Sequence, residues 1–257
     1  MSWLARLLDR TPPADQRMAE ALAAWKSGDY GIALDLWAAL AHEGHARAQS
    51  NMGAAFLEGH GVEQDHAKAV DWLRRAAEQG DAGGQRNLAL CHYEGWGMPQ
   101  DQAEAARLYE QAALQGDPEA QDMLSWMKLV GGGCPQDHAG ARLWAEKAAE
   151  SGSAAAMARL GDIHHNALGV ERDATAAADW WGRAARLGHP EAQAMLGAAY
   201  LAGMGIERDV VEALHWLRRA ELGGAGELAA GFPKEARAHA KPSQRAEAER
   251  RAEEPLS

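Results

Sequence analysis

The sequence predicts an all-α protein, an array of antiparallel helix pairs with a 36-residue period, and three columns of residues carry that prediction. Asp29, Asp65, Asp101, Asp137, Asp173 and Asp209 recur in step, as do Gly44, Gly80, Gly116, Gly152, Gly188 and Gly224. Ala33, Ala69, Ala105, Ala141, Ala177 and Ala213 form the third column. Self-similarity at a fixed period in this range marks a stack of supersecondary units, each burying its apolar face against the next.

Each column has a physical task. The Asp column precedes a helical run such as DHAKAVDWLRRAAEQG, where an N-cap carboxylate satisfies amides that have no partner inside the helix. Glu104 and Glu212, three residues on, are placed to complete a capping box. The Gly column closes the same helix at a position that must turn left-handed. Asp81, Asp117 and Ser153 then cap the following helix, and Pro118 and Pro190 suit its first turn. Each unit therefore reads as helix A, a turn, helix B and a tighter turn.

The turn between helix A and helix B carries a Gly-x-Gly (Gly59/Gly61, Gly95/Gly97, Gly131/Gly133, Gly203/Gly205), with Ala167/Gly169 in the fourth unit. A phosphate-cradling loop would need a preceding strand and a following Lys or Ser. Neither is present, and the Asp column would compete for the same amides, so the motif reads as an inter-helix turn. Helix B places Trp72, Leu108, Trp144, Trp180 and Trp216 at one position, a pattern expected of inter-repeat core. On helix A, a small column (Gly53, Ala89, Ser125, Gly161, Gly197) lets helices approach. Met52, Leu88, Leu124, Leu160 and Leu196 fill the space beside it.

These residues resemble the Sel-one-like repeat family, a relative of the tetratricopeptide repeats. Its pattern reads most fully in AQAMLGAAYLAGMGIERDVVEALHWLRRAELGG and AQSNMGAAFLEGHGVEQDHAKAVDWLRRAAEQGD. The resemblance implies a right-handed α-solenoid and a scaffold or adaptor role exercised through a concave helix-A face. The expected organisation is an N-terminal capping helix over 1–13, a tetratricopeptide-like helix pair over 14–43, five repeats over 44–224, and a C-terminal linker and capping helix over 225–257. The N-terminal cap rests on Trp3, Leu4, Leu7 and Leu8 sharing one helical face; the alternative for so short an amphipathic segment is a membrane surface.

Composition narrows the partners. Thirty-seven acidic against 26 basic residues leave a net charge of −11, which repels nucleic acid and anionic lipid. The apolar stretch at the N-terminus is too short for a signal peptide, nothing reaches membrane-spanning length, and two cysteines make no disulfide framework. The expectation is a cytoplasmic protein with a protein or peptide partner, no nucleic acid, no membrane, no small-molecule substrate and no cofactor.

Candidate chemistry is sparse. Ser125-Trp126-Met127-Lys128 matches the S-x-x-K of penicillin-recognising enzymes, but the companion S-D-N and K-T-G elements are missing. Ser125 also belongs to the small column, so its hydroxyl is expected to face a neighbouring helix. Cys91 and Cys134 occupy apolar columns and are expected to act as small core groups. His164 and His165 point about 100° apart on a helix and cannot chelate together, while Asp162 and His165 share a face, with no further ligand at zinc spacing. The reading is therefore non-enzymatic. Its rivals are a penicillin-recognising or other envelope-related enzyme, and a membrane-associated envelope assembly factor.

Partner-binding residues are sought where helix A departs from the repeat register: Arg86, Leu90 and Tyr93 in the second unit, Asp122, Trp126 and Leu129 in the third, and Asp162 and His165 in the fourth. Trp126 stands out, because its column otherwise holds Ala54, Leu90, Asp162 and Ala198. The turn of that unit, GGGC, is also irregular. A tryptophan among charged neighbours has the composition of an interface hot spot; the alternative is that Trp126 packs down onto helix B.

Overall fold

The computed structural model describes residues 12–229, 238 and 240–255. Trp3, Leu4, Leu7 and Leu8 of the expected N-terminal cap lie outside the described residues. The chain forms two compact units, one ending at Ala120 and the other starting at Gln121. Every regular element among the described residues is a helix.

The first unit holds α1 (Ala14–Ser27), α2 (Tyr30–His42), α3 (Ala46–Glu58), α4 (His66–Glu78), α5 (Ala82–Glu94) and α6 (Gln102–Leu114). Its core is assembled from Ala33, Leu34, Trp37, Leu40, Ala48, Met52 and Ala55 of α2 and α3, with Val62 and Trp72 packed against them. The unit boundary falls within α7 (Pro118–Val130). The second unit continues with α8 (His138–Glu150), α9 (Ala154–His165), α10 (Ala174–Arg186), α11 (Pro190–Ala202), α12 (Val210–Leu222), the single turn α13 (Gly226–Ala229) and α14 (Pro242–Glu253). Here Leu160, Trp181, Leu196 and Trp216 meet among buried alanines. Helix α14 docks on α12, where Ala248 is buried with Leu214 and Leu217, and Arg251 pairs with Glu212 at 2.6 Å.

The caps form as expected with one exception. Asp65, Asp101, Asp137, Asp173 and Asp209 each accept from one or two amides of their helix at 2.8–3.1 Å. Asp29 makes no cap bond. It lies in a two-residue connection, Gly28-Asp29, donates its amide to the Ala24 carbonyl and accepts from the Ser27 hydroxyl. The Asp carboxylates thus take amides at the start of helix B that a phosphate would otherwise compete for.

The capping boxes are a correction. Glu104 turns to Arg107 and Glu212 to Arg251, away from their helix starts. The amide that each glutamate was expected to take is already used. Asp101 donates to the His92 carbonyl at 2.8 Å, and Asp209 to the Tyr200 carbonyl at 3.1 Å. The same bond from the cap residue to the carbonyl nine positions back recurs at Asp65, Asp137 and Asp173. It pins the A–B turn and leaves the N3 side chain free for other pairings.

The second glycine of the turn is required by close approach. Gly205 has φ +71°, and a Cβ there would run into the Ala174 carbonyl at the start of α10. The turn of one repeat thus seats on the first turn of helix B in the repeat before it.

The Trp column packs into the core at Leu108, Trp144 and Trp216 and lies partly buried at Trp72 and Trp180; Trp72, Trp144 and Trp180 are roofed by Arg75, Lys147 and Arg183 at 4.1–4.9 Å from their rings. The deepest stripe lies one residue on: Trp37, Leu73, Tyr109, Ala145, Trp181 and Leu217 are each no more than 2% exposed. The small column of helix A faces this stripe. A Cβ on Gly53, Gly161 or Gly197 would meet Leu73, Trp181 or Leu217 respectively.

Candidate functional site

In the second unit, three successive A helices present one face each to a shared cavity of about 650 Å³. Helix α7 contributes Trp126, Leu129 and Val130, spaced i, i+3 and i+4. Helix α9 contributes Ala155, Ala158, Arg159 and Asp162 at the same helical spacing. Glu191, Ala192 and Met195 of α11 form the far wall. Trp181 of α10, His189 just before α11 and Leu228 of α13 complete the lining. Val130 and Leu228 are half exposed, at 50% and 46%.

The polar groups are few and mostly engaged. Arg159 donates to the Asp122 carboxylate at 2.5 Å, and both side chains are largely buried. Trp181 donates its indole N–H to Asp162 Oδ1 at 3.0 Å. The His165 ring lies 5.3 Å from the Trp181 ring. Burial pushes the Asp162 carboxyl above the usual carboxylate range, against the opposing pull of the Trp181 hydrogen bond and of nearby His165, Arg159 and His189. His189 caps α11 by accepting the Ala192 amide on Nδ1, with Glu191 Oε2 3.3 Å from the same nitrogen.

Of the eight expected site residues, Trp126, Leu129 and Asp162 line this cavity. Asp122 holds Arg159 at its edge, and His165 sits beside Trp181 beyond the lining. Trp126 is half-buried, between the two alternatives of an open groove residue and a ring packed down onto helix B. Arg86, Leu90 and Tyr93 belong to α5 in the first unit and are half-buried there. Arg86 pairs with Asp117 at 3.2 Å and Glu119 at 3.0 Å, and lines a separate polar depression of about 340 Å³ with Arg47, Asn51 and Asp81.

Sequence reasoning missed Trp181, Arg159 and Met195. The signals were present. Trp181 is, with Trp37, the largest residue of a column whose member before it is Ala145, and it stands opposite Gly161. The column Asn51, Asn87, Met123, Arg159, Met195 varies as widely as the columns that were chosen.

The remaining candidates for chemistry resolve on burial. Ser125 is fully buried and its hydroxyl donates to the Ala141 carbonyl at 2.8 Å, while Lys128 Nζ lies 4.0 Å from Asp137. A nucleophile needs solvent and substrate access, and this hydroxyl has neither. Cys91 is buried, with its thiol pushed up to about 11 by desolvation. Cys134 is only half-buried, a correction to its expected core role, because it sits in the A–B turn. Among the described residues no group of His, Cys, Asp and Glu could hold a metal ion, and no helix is long and apolar enough to cross a membrane.

Consecutive helix pairs in one register, capped and glycine-closed at the same positions, define an α-solenoid of helical repeats. The Sel1 repeat family profile matches at 46–81, 82–117, 118–153, 154–189 and 190–224, and the chain belongs to that family. It is similar to the solved structure of a Sel1 repeat protein from Oxalobacter formigenes: TM-score 0.81, 26% identity, covering 94% of this chain and 98% of that one. It is also similar to c5321, described as a protective antigen of uropathogenic Escherichia coli displaying an SLR fold (TM-score 0.80, 27% identity, 96% of this chain). The chain spans 55% of that protein's length. Among curated protein sequences none matches.

Proposed function

We propose that this protein is a non-enzymatic scaffold or adaptor that binds a segment of another protein on the helix-A face of its repeats, with the cavity around Trp126 and Trp181 as the principal contact. One observation carries the reading. Three consecutive A helices converge on an apolar, partly aromatic cavity edged by two half-exposed aliphatic side chains, Val130 and Leu228. Hydrophobic anchors with tryptophan at the centre are the usual source of binding energy in such sites. Its volume suits one or two inserted side chains, which is the scale of peptide capture.

A photo-crosslinking amino acid at Val130, compared with one at Leu143, an exposed leucine of α8 outside the cavity, tests the proposal in lysate of the source cells. The expected result is one discrete adduct from position 130, abolished by Trp126→Ala in a variant whose circular dichroism is unchanged. Equal adducts from both positions, or none from position 130, would remove the cavity from the binding function.

A further inference from the structure

We infer that the cavity selects a partner segment pairing a large apolar side chain with a lysine or arginine a few residues away, the apolar group seated against Trp126, Leu129 and Met195 and the cation on Asp162 and Glu191. The inference rests on the groove reading above and adds the chemistry of the partner.

The charge inventory of the lining decides the sign. Arg159 is the one Arg or Lys among the lining residues, and its guanidinium is already taken by Asp122 at 2.5 Å and by the Asp122 main-chain carbonyl at 3.3 Å. His189 spends Nδ1 on the α11 cap. Two carboxylates remain. Asp162 uses Oδ1 for the Trp181 indole, and its Oδ2 has no hydrogen bond among the described residues. Glu191 has a side chain 62% exposed. An incoming anion would meet both carboxylates and find the only guanidinium occupied. An incoming cation would find Asp162 Oδ2 unpaired and Glu191 held only by its 3.3 Å contact with His189.

Burial strengthens the preference. A carboxylate in apolar surroundings interacts with a partner charge more strongly than one in bulk water, because less solvent screens it. Desolvation already disfavours ionised Asp162, so a cation that pairs with it relieves an existing cost. Apolar selectivity is separate, set by Trp126, Leu129, Ala158 and the unbranched Met195, whose flexibility accommodates several side-chain shapes. The chain's net charge of −11 would draw a basic segment in the same direction at longer range.

The test is selection of a displayed random peptide library on the full chain, followed by affinity measurement of the enriched peptides. The expected motif is an aromatic or long aliphatic residue followed closely by Lys or Arg. Asp162→Asn keeps an acceptor for the Trp181 indole and should weaken such a peptide by about 10-fold, roughly 1.4 kcal/mol. It should not affect the same peptide with its basic residue changed to Gln. Trp126→Ala should weaken both peptides. Enriched peptides that need Trp126, lack a basic residue and bind Asp162→Asn unchanged would overturn this inference and leave the groove reading standing. Failure to enrich any peptide dependent on Trp126 would overturn both.

Discussion

The Trp181 indole N–H is bonded to Asp162 Oδ1 at 3.0 Å, and the same indole fills the space where Gly161, one residue before Asp162, would carry a side chain. Two adjacent positions of one helix thus treat one ring as both hydrogen-bond donor and packing surface. Burial raises the Asp162 pKa there against the pull of that hydrogen bond. Its raised pKa means that the charged form weakens the fold as pH rises through that value. Asp162→Asn keeps the acceptor and removes the charge. It should leave stability at neutral pH equal or higher while weakening basic peptides, and the wild type should close the gap as pH falls toward the raised pKa. Urea titrations at several pH values give this directly.

Gly161→Ala should destabilise by about 1–3 kcal/mol, since its methyl group displaces a buried indole. Gly182→Ala, in the same helix as Trp181, meets only ordinary contacts and should stabilise by roughly 0.5–1 kcal/mol through helix propensity. Opposite shifts in urea midpoint would support the packing described. Shifts of the same sign would contradict it.

Asp137→Ala removes a cap bonded to the Gly140 amide at 2.9 Å and should lower stability by about 1 kcal/mol. Glu104→Ala touches no cap in the structure and removes only an exposed pair with Arg107, so its effect should stay within about 0.5 kcal/mol. If both cost the same in denaturation, the capping box would be present after all.

His215 of α12 is buried, its ring against Trp216, and its pKa is lowered by desolvation and then by Arg251, with Glu212 opposing and Arg219 adding to the shift. A lowered folded pKa means that the unfolded chain takes up the proton first. The neutral ring's contribution is whole above about pH 6.5 and is lost as pH falls through the folded value. Thermal unfolding followed as pH falls below about 6.5 should show this slope, and His215→Gln should flatten it. An unchanged slope would assign it to other groups.

Ending the chain before Pro242 removes α14 and uncovers Leu214 and Leu217. In a stack of nearest-neighbour interfaces the loss should propagate inward from that end. Amide exchange should accelerate in α12 first, with α9 and α10 protected until higher denaturant. Uniform acceleration, or none, would argue that α14 is not a cap.

Particular residues show how far the pattern could be read. The Asp and Gly columns were legible because a cap or a left-handed turn depends on local backbone geometry, and a 36-residue register repeats that geometry. Asp29 failed where the connection shortens to two residues, and Glu104 failed because the His92 carbonyl had already taken the Asp101 amide. Trp126, Leu129 and Asp162, singled out by their departure from register, line one cavity. Trp181 and Arg159 were passed over: one is a core residue at 1% exposure that also reaches the cavity, and the other's pairing with Asp122 crosses 37 residues.

The periodic spacing by itself determined the helix pairs, their turns and their family, because each of these follows from interactions within a few residues repeated at constant interval. Which tryptophan is buried, which carboxylate keeps an unpaired oxygen and which cation is already neutralised were decided only by the tertiary structure. Those properties belong to surfaces formed where separate helices meet, and the distances that set them have no counterpart in sequence spacing.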